Sequence, residues 1–199
     1  MGQRLWNTLK VSAISVMISI PIGVGIGTVL AYFQKNTLSS VVLNITTVIF
    51  TIPSIAMLGF MMPLFGLGLL PSVIALVLYA QIPILRNTYV GLSNVSQNVI
   101  LAAEGIGVGR KDILFKIRFP VTLPIIMAGI RNSVVLTIGI ATIASLIGAG
   151  GLGDLILRGI QQSNTDLILA GTLPVIILAI SADVGLKSIE DRLTSRGIK

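Results

Sequence analysis

The chain has 199 residues, of which 54% are hydrophobic and 11% are charged, and this composition leaves too little polar surface for a water-soluble domain of that length. Its net charge of +7 does not predict a nucleic-acid partner, because the basic residues flank apolar segments and membrane orientation explains them. Cysteine and histidine are absent, which excludes disulfides, thiolate and imidazole catalysis and the usual zinc ligands. The P-loop pattern G-x-x-x-x-G-K-S/T is also absent, and we expect no catalytic residue, metal or cofactor on this chain.

Five apolar segments are long enough to cross a membrane as helices, since about 20 residues are needed for a hydrocarbon core of roughly 30 Å. They cover residues 11–33, 41–64, 69–85, 124–147 and 167–186. The first ends before Gln34 and Lys35, and the second contains Pro53 and Pro63. No repeat or linker divides the chain. We therefore predict an all-α polytopic membrane protein with a single membrane domain over residues 1–199.

Lysine and arginine are unevenly distributed around these segments, and their distribution predicts the orientation. If the N-terminus is outside, the outer segments contain only Arg4, Lys10 and Arg158, although Arg4 and Lys10 argue locally for the reverse. Arg4 and Lys10 are also compatible with a cleaved signal peptide, but the first apolar segment is longer than the apolar region of a typical signal peptide and no small-x-small cleavage site follows it. The inner segments contain Lys35, Arg86, Arg110, Lys111, Lys116, Arg118, Arg131, Lys187, Arg192, Arg196 and Lys199. We predict an outer N-terminus and a cytoplasmic C-terminus.

The largest inner loop contains a charged stretch with three glycines, residues 101–120. Ile113, Leu114 and Ile117 recur at helical spacing among basic residues, which predicts a short amphipathic helix. Glycines 105, 107 and 109 would each cost about 1 kcal/mol relative to alanine inside a helix, so they predict a bend between two short helices. The second helix is expected to stop at Pro120 and the next span to open at Pro124. A soluble partner could hold this structure, or it could lie on the lipid surface.

The same stretch resembles the EAA loop of ABC importer permeases, whose pattern is Glu-Ala-Ala, three residues, Gly, nine residues, Ile, one residue, Leu-Pro. The positions that match are Ala102, Ala103, Gly107, Ile117 and Pro120. Leu101 stands where the family has glutamate, and Phe119 stands where it has leucine. Glu104, next to Gly105, offers a nearby charge in place of the missing carboxylate.

Four further segments, residues 52–68, 83–92, 128–156 and 168–197, resemble permeases of osmoprotectant importers, which carry glycine betaine, carnitine or choline. The resemblance implies a type I ABC importer in a bacterial cell membrane. Two permease subunits would form the pathway, cytoplasmic ATP-binding subunits carrying ATP and Mg would dock on the EAA loops, and an external substrate-binding protein would deliver the solute. The alternatives are an importer of an amino acid or another betaine-like solute, and a channel or secondary carrier without an ATPase.

The glycine-rich sequence GAGGLG at residues 148–153 fits the dinucleotide pattern G-x-G-x-x-G, but the apolar run before it is long enough to span a membrane, and a dinucleotide site needs a preceding strand. We predict instead a non-helical loop at the outer mouth of the pathway. Irregular backbone at such a depth is tolerated where it lines a cavity or is buried in protein. The predicted outer gate consists of Gly148, Gly150, Gly151, Gly153 and Asp154.

Proline and aromatic residues of the second and third segments are candidates for the pathway. Pro53, which lies between Thr51 and Ser54, has no N–H and removes one backbone hydrogen bond, and we predict a hinge there. A quaternary ammonium solute is attracted to aromatic rings, and Tyr79 is the ring that we assign to the pathway. The other rings in these segments are Phe50, Phe60 and Phe65, which are expected mostly to face the core or the lipid.

Three further features of the predicted helices favour structure over transport. Asp183 and Lys187 are four residues apart near the inner surface, which favours an ion pair on one helix face. Arg131 can reach the interface or a partner subunit. Gly23 and Gly27 have the spacing of a close contact between two membrane helices.

Overall fold

The structure is a computed structural model that describes residues 1–33 and 36–193. Within these ranges the chain is helical with short connections and contains no β-strand, which confirms the predicted all-α class. The predictions that concern Gln34, Lys35, Arg196 and Lys199 lie outside the described residues.

Eight helices make up the described part of the chain, if residues 110–147 are counted as one continuous helix. They are α1 (Gly2–Phe33), α2 (Asn36–Thr51), α3 (Ser54–Phe65), α4 (Leu69–Ser93), α5 (Gln97–Gly105), α6 (Arg110–Ile147), α7 (Gly153–Gln161) and α8 (Thr165–Leu193). Four of them, α1, α4, α6 and α8, are long and apolar enough to cross a membrane, and α2 with α3 forms a bent fifth candidate.

The centre of the bundle is formed by α1, α4 and α6, which approach closely because glycines lie at their contacts. A Cβ atom on Gly23 of α1 would lie 2.7 Å from Ile84 of α4, and Gly27 is also packed tightly against α4. This is the close helix contact that the glycine spacing predicts. On α6, a Cβ atom on Gly129 would lie 2.5 Å from the carbonyl oxygen of Pro83. The three helices therefore tolerate no larger residue at these positions without moving apart.

The second predicted segment is not one straight helix. Its two parts, α2 and α3, meet at an angle of 96°. Pro53 stands at the bend and cannot extend the hydrogen-bond ladder of α2, because it has no N–H. Pro63 lies inside α3, which continues past it to Phe65. The bend falls at the predicted hinge, but hydropathy does not predict its angle because both halves are apolar.

The helix that was expected to stop at Pro120 does not stop there. Instead α6 runs for 38 residues. Residues Ile113–Arg118 form a π-helical turn, in which the Phe119 N–H reaches the carbonyl of Leu114. This wider turn just ahead of Pro120 gives the proline ring room beside the preceding carbonyls, so the helix passes through. At 1.5 Å per residue α6 is about 57 Å long, and it extends well beyond a hydrocarbon core of roughly 30 Å.

Several other helices differ in length from the prediction. Helix α1 begins at Gly2, α4 continues to Ser93 and α8 runs from Thr165 to Leu193, so each extends past its apolar segment. Helix α7 occupies a stretch for which no helix was predicted. In the most apolar window of α8 only 6% of the residues are fully buried within the chain, so one side of this helix is left for lipid or for another subunit.

The bundle has two ends, and the two predicted sites lie at opposite ones. At the first end Ala31 of α1, Leu92 of α4 and Leu114 of α6 pack together. At the second end the Gly68 N–H, just before α4, donates to the carbonyl of Ile147 at 2.7 Å. Residues 102–120 therefore lie at the first end and residues 148–154 at the second.

Candidate functional site

The first candidate site is a helical hairpin made of α5, the turn at residues 106–109 and α6 as far as Pro120; we call it the 97–120 hairpin. Helix α5 ends in a Schellman motif. The Gly107 N–H donates to the backbone carbonyl of Glu104 at 2.9 Å, and the Val108 N–H donates to the backbone carbonyl of Ala103 at 3.0 Å. Gly107 has a φ of +82°, the left-handed conformation that this motif requires and that glycine adopts without strain.

Gly107 is unlike the other two glycines predicted to form the bend. Gly105 is the last residue of α5, and Gly109 has a φ of −68°, which other residues adopt readily. The chain therefore turns at one defined helix stop, and of the three glycines predicted to form the bend only Gly107 needs a conformation that favours glycine.

The 97–120 hairpin has a buried face and an exposed face. Ala103 packs with Ile100 and Ile113 in a small core, and Ile117 lies against the same cluster. The exposed motif residues are Ala102, Glu104, Gly105, Gly107 and Pro120. Large apolar side chains are exposed beside them, namely Leu101, Ile106 and Phe115, and Ile106 is 83% exposed. Apolar side chains grouped at the surface indicate a binding site for a protein or for lipid.

The hairpin is firmly attached to the bundle. The buried Arg118 donates from Nη1 to the carbonyl of Leu92 at the end of α4, at 3.4 Å. Leu114 packs with Leu92 and with Ala31 near the end of α1. The hairpin therefore contacts the ends of α1 and α4 directly and is continuous with α6.

Glu104 is the acidic residue closest to the position where Leu101 replaces the family glutamate. It lines a crevice of about 150 Å³ that also includes Arg110, Arg118 and the end of α1. The structure thus places this carboxylate among basic groups of its own chain, while Leu101 is exposed on the surface of α5.

The second candidate site is the loop before α7. Gly148, Gly150 and Gly151 have φ values of +83°, +68° and +107°, so a non-helical loop lies where it was predicted. Gly153 and Asp154 instead begin α7, which corrects the predicted extent of the loop. Gly148 is exposed and Gly150 is half-buried, whereas Gly151 and Gly153 are buried. Asp154 is half-buried like Gly150, so Gly148, Gly150 and Asp154 are the accessible members of the predicted gate.

Thr8 of α1 holds this loop in place. The Leu152 N–H donates to Thr8 Oγ1 at 2.9 Å, and both residues are buried. A Cβ atom on Gly151 would lie 2.5 Å from the same oxygen, and one on Gly153 would collide with the carbonyl of Thr142. The loop therefore closes on α1 and α6 at distances that only glycine permits.

The third candidate site is the break between α2 and α3. Tyr79 of α4 is buried in the main core, and its hydroxyl donates to the carbonyl of Ile52 at the break. This bond gives a partner to a carbonyl that lies between α2 and α3, outside either helix. Thr51 is exposed and Ser54 is half-buried. Tyr79 thus stabilises the bend from the side of the bundle, and Thr51 lies on the open side.

A charged cluster joins α6 to α8. Arg131 donates from Nε and Nη2 to the two carboxylate oxygens of Asp183 at 2.9 and 3.0 Å, and from Nη1 to Glu190 at 3.1 Å. Asp183 was predicted to pair with Lys187 on its own helix. The structure pairs it with Arg131 of the neighbouring helix, because the guanidinium group matches both carboxylate oxygens at once.

Comparison with known proteins identifies the family. Residues 23–195 match the model of the family described as the binding-protein-dependent transport system inner membrane component. The chain belongs to this family.

Other inner membrane components of such transport systems match along nearly their whole length. The chain is 41% identical to the carnitine transport permease protein OpuCB of Listeria monocytogenes, over 98% of this chain and 89% of that protein. It is 39% identical to the choline transport system permease protein OpuBB of Bacillus subtilis, over 100% and 92%. It is also 39% identical to the osmoprotectant import permease protein OsmW of Salmonella typhimurium, over 99% and 91%. The resemblance to osmoprotectant permeases is confirmed.

The fold of this family member is that of a type I importer. A structure of the MetNI methionine ABC transporter in an inward-facing conformation superposes with a TM-score of 0.85 and covers 97% of this chain and 95% of that one. At 22% sequence identity this likeness concerns the fold and carries no information on the solute.

Sequence reasoning missed two features of this inner membrane component. Helix α7 could have been found, because the apolar positions 152, 155 and 156 and the polar residues Asp154, Arg158 and Gln161 each recur at helical spacing on separate faces. The bond between Thr8 and Leu152 could not have been found, because it joins residues 144 positions apart. Within residues 1–33 and 36–193 there is no group of three or more acidic, histidine or cysteine side chains placed to hold a metal ion.

Proposed function

We propose that this chain is the permease subunit of an ATP-driven importer for quaternary ammonium osmoprotectants, namely glycine betaine, carnitine and choline. The observation that carries the proposal is the identity of 39–41% with relatives named for carnitine, choline and osmoprotectant transport, over nearly the full length of each chain. The chain forms a single membrane domain over residues 1–199 and works by alternating access.

The 97–120 hairpin is the surface on which a cytoplasmic ATP-binding subunit docks. The Schellman turn at Gly107 gives the hairpin a fixed shape, and the exposed side chains of Leu101, Ile106 and Phe115 supply apolar contact area. ATP and Mg bind to the partner, which hydrolyses the ATP. Movement of the docked partner reaches the pathway through α1, α4 and α6, because Arg118 and Leu114 tie the hairpin to these helices.

The loop at the opposite end receives an external substrate-binding protein. Gly148, Gly150 and Asp154 form its accessible part, while Gly151 and Gly153 are packed against α1 and α6. In this arrangement the N-terminus is outside and the C-terminus is cytoplasmic, in a bacterial cell membrane, as the distribution of basic residues predicts.

A second permease subunit, either the same chain or a sister chain, completes the pathway. Helix α8 has few fully buried residues, and its exposed side leaves room for such a partner and for lipid. Within this chain the pathway passes the break between α2 and α3, where Thr51, Pro53 and Ser54 lie and where Tyr79 supports the bend.

The proposal is tested by reconstituting this chain with its ATP-binding subunit and its binding protein in vesicles and measuring uptake of labelled glycine betaine, carnitine and choline. We expect ATP-dependent uptake of at least one of them. The variant Gly107→Asp should abolish uptake because it distorts the docking turn, whereas Gly109→Asp is the matched control in a permitted conformation. Uptake without ATP would indicate a secondary carrier, and uptake of none of the three solutes would remove the substrate assignment.

A further inference from the structure

Helix α2 has three distinct faces, and one of them is polar and uncovered. The face turned toward the bundle includes the buried Ser39 and the partly buried Ile49. A second face is apolar and consists of Leu38, Val41, Ile45 and Val48, whose side chains are 48–63% exposed. The third face consists of Ser40, Asn44, Thr47 and Thr51, which are all exposed. Their spacing of four, three and four residues places them in one line along the helix.

The apolar face is the one that suits contact with lipid. Its four aliphatic side chains require no hydrogen bond, so exposure to hydrocarbon costs them nothing. The polar face does not suit lipid equally well. Thr47 and Thr51 donate to carbonyls of their own helix at 2.8 and 2.7 Å, but the amide of Asn44, in the middle of α2, carries two N–H donors and a carbonyl that lose free energy in an apolar medium.

The polar face ends at the break in the helix, which is an independent sign of a water-filled space. Irregular backbone at membrane depth persists where it is buried in protein or lines an aqueous cavity. The Tyr79 hydroxyl covers the Ile52 carbonyl from the bundle side, and the exposed Thr51 adjoins the break on the other side. The uncovered polar residues therefore lead to the point where the backbone itself presents polar groups.

We propose that Ser40, Asn44, Thr47 and Thr51 of α2 form one wall of the aqueous solute path and contact the solute as it passes. This inference rests on the proposed function as a permease and extends it from the break to a named helix face. The face contains hydroxyl and amide groups and no charged residue. It thus offers oxygen atoms to a small cationic or zwitterionic solute and no fixed positive charge that would repel a quaternary ammonium group.

The chain contains no natural cysteine, so the wall can be mapped with single cysteines in the complete complex in vesicles. The polar-face variants are Ser40→Cys, Asn44→Cys and Thr47→Cys, and the matched controls on the apolar face of the same helix are Val41→Cys, Ile45→Cys and Val48→Cys. The probe is a methanethiosulfonate reagent carrying a trimethylammonium group, which is soluble in water and resembles the solute. We expect labelling at the polar face to be about tenfold faster or more, because the reactive thiolate forms in water and not in hydrocarbon.

Two further measurements complete the test. Labelling at Asn44→Cys should block uptake, and an excess of transported solute should slow the labelling. Equal labelling rates on both faces would overturn the proposal. The proposal would also be overturned if Asn44→Cys formed a disulfide between two copies of the chain on oxidation and did not react with the reagent. The polar face would then be an interface between permease subunits.

The labelling contrast does not depend on which solute is carried. If the complex imports none of the three osmoprotectants but shows the labelling contrast, the aqueous wall is supported and only the substrate assignment is removed. If the complex imports them without the labelling contrast, the proposed function is supported and the assignment of the α2 polar face to the solute path is rejected.

Discussion

At the scale of single residues, the two ends of the bundle depend on backbone conformations and contacts that one side chain can disturb. Gly107 is required at the first end because its φ of +82° completes the Schellman turn. Thr8 is required at the second end because its hydroxyl accepts a buried N–H from Leu152. Each residue therefore provides a substitution with a defined physical effect.

Replacing Gly107 by alanine should strain the turn by about 1–3 kcal/mol, because a non-glycine residue is unfavourable at positive φ. We expect weaker co-purification of the ATP-binding subunit and slower uptake. Gly105→Ala and Gly109→Ala are the controls, since both positions have ordinary backbone angles and no heavy atom within 4 Å of an added Cβ. Equal losses for all three variants would show that the turn has no special dependence on position 107.

Replacing Thr8 by valine should lower the free energy of unfolding by about 1–3 kcal/mol, because it removes the acceptor of the buried Leu152 N–H while keeping the shape of the side chain. Thermal unfolding in detergent measures the change. Thr46→Val is the control, because the Thr46 hydroxyl bonds only to carbonyls of its own helix. If the two variants melt at the same temperature, the Thr8 bond does not stabilise the loop.

At the scale of helices, apolar segments predicted which parts of the chain are helical but not how the helices continue or bend. Pro53 and Pro120 illustrate the reason, since the same residue type bends the chain by 96° in one place and lies inside an unbroken helix in the other. The difference depends on the π-helical turn before Pro120 and on Tyr79 from another helix. Neither can be derived from local hydropathy, because the π-helical turn is a change in the backbone hydrogen-bond pattern and the Tyr79 bond is a tertiary contact.

The candidate sites were predictable to a similar extent. Ala103, Gly107 and Ile117 could be assigned to a hairpin because the glycine and apolar spacings are local properties of the sequence. The pairing of Asp183 could not be assigned, since its partner lies on another helix and a same-helix candidate, Lys187, was available at favourable spacing.

The pairing of α6 with α8 through Arg131 and Asp183 predicts an energetic coupling between the two residues. Arg131→Gln and Asp183→Asn should each lower the melting temperature, and the double variant should lower it by less than the sum, because the first substitution already removes the interaction. The control pair is Lys187→Gln with Asp183→Asn, which should be additive. If the Lys187 and Asp183 substitutions were coupled and the Arg131 and Asp183 substitutions were additive, Asp183 would pair with Lys187 within α8 and not with Arg131.

At the scale of the whole molecule, the 97–120 hairpin and the loop before α7 lie at opposite ends of a bundle whose longest helix, α6, measures about 57 Å. One end must therefore be on the cytoplasmic side and the other outside. Cysteines introduced at Gly109 and at the exposed Gln161 report on the two ends separately. We expect a membrane-impermeant thiol reagent to label Gln161→Cys in intact cells and to label Gly109→Cys only after lysis. The reverse pattern would show that the chain has the opposite orientation.

The central claim is that the 97–120 hairpin contacts a separate ATP-binding subunit. The direct measurement is photo-crosslinking in the complete complex in its native membrane, with a photoreactive amino acid in place of Ile106, which is 83% exposed at the hairpin turn. The control position is Ile160 on α7, which is exposed at the opposite end. We expect a product with the ATP-binding subunit from position 106 and none from position 160. Products with lipid alone from position 106 would contradict the account.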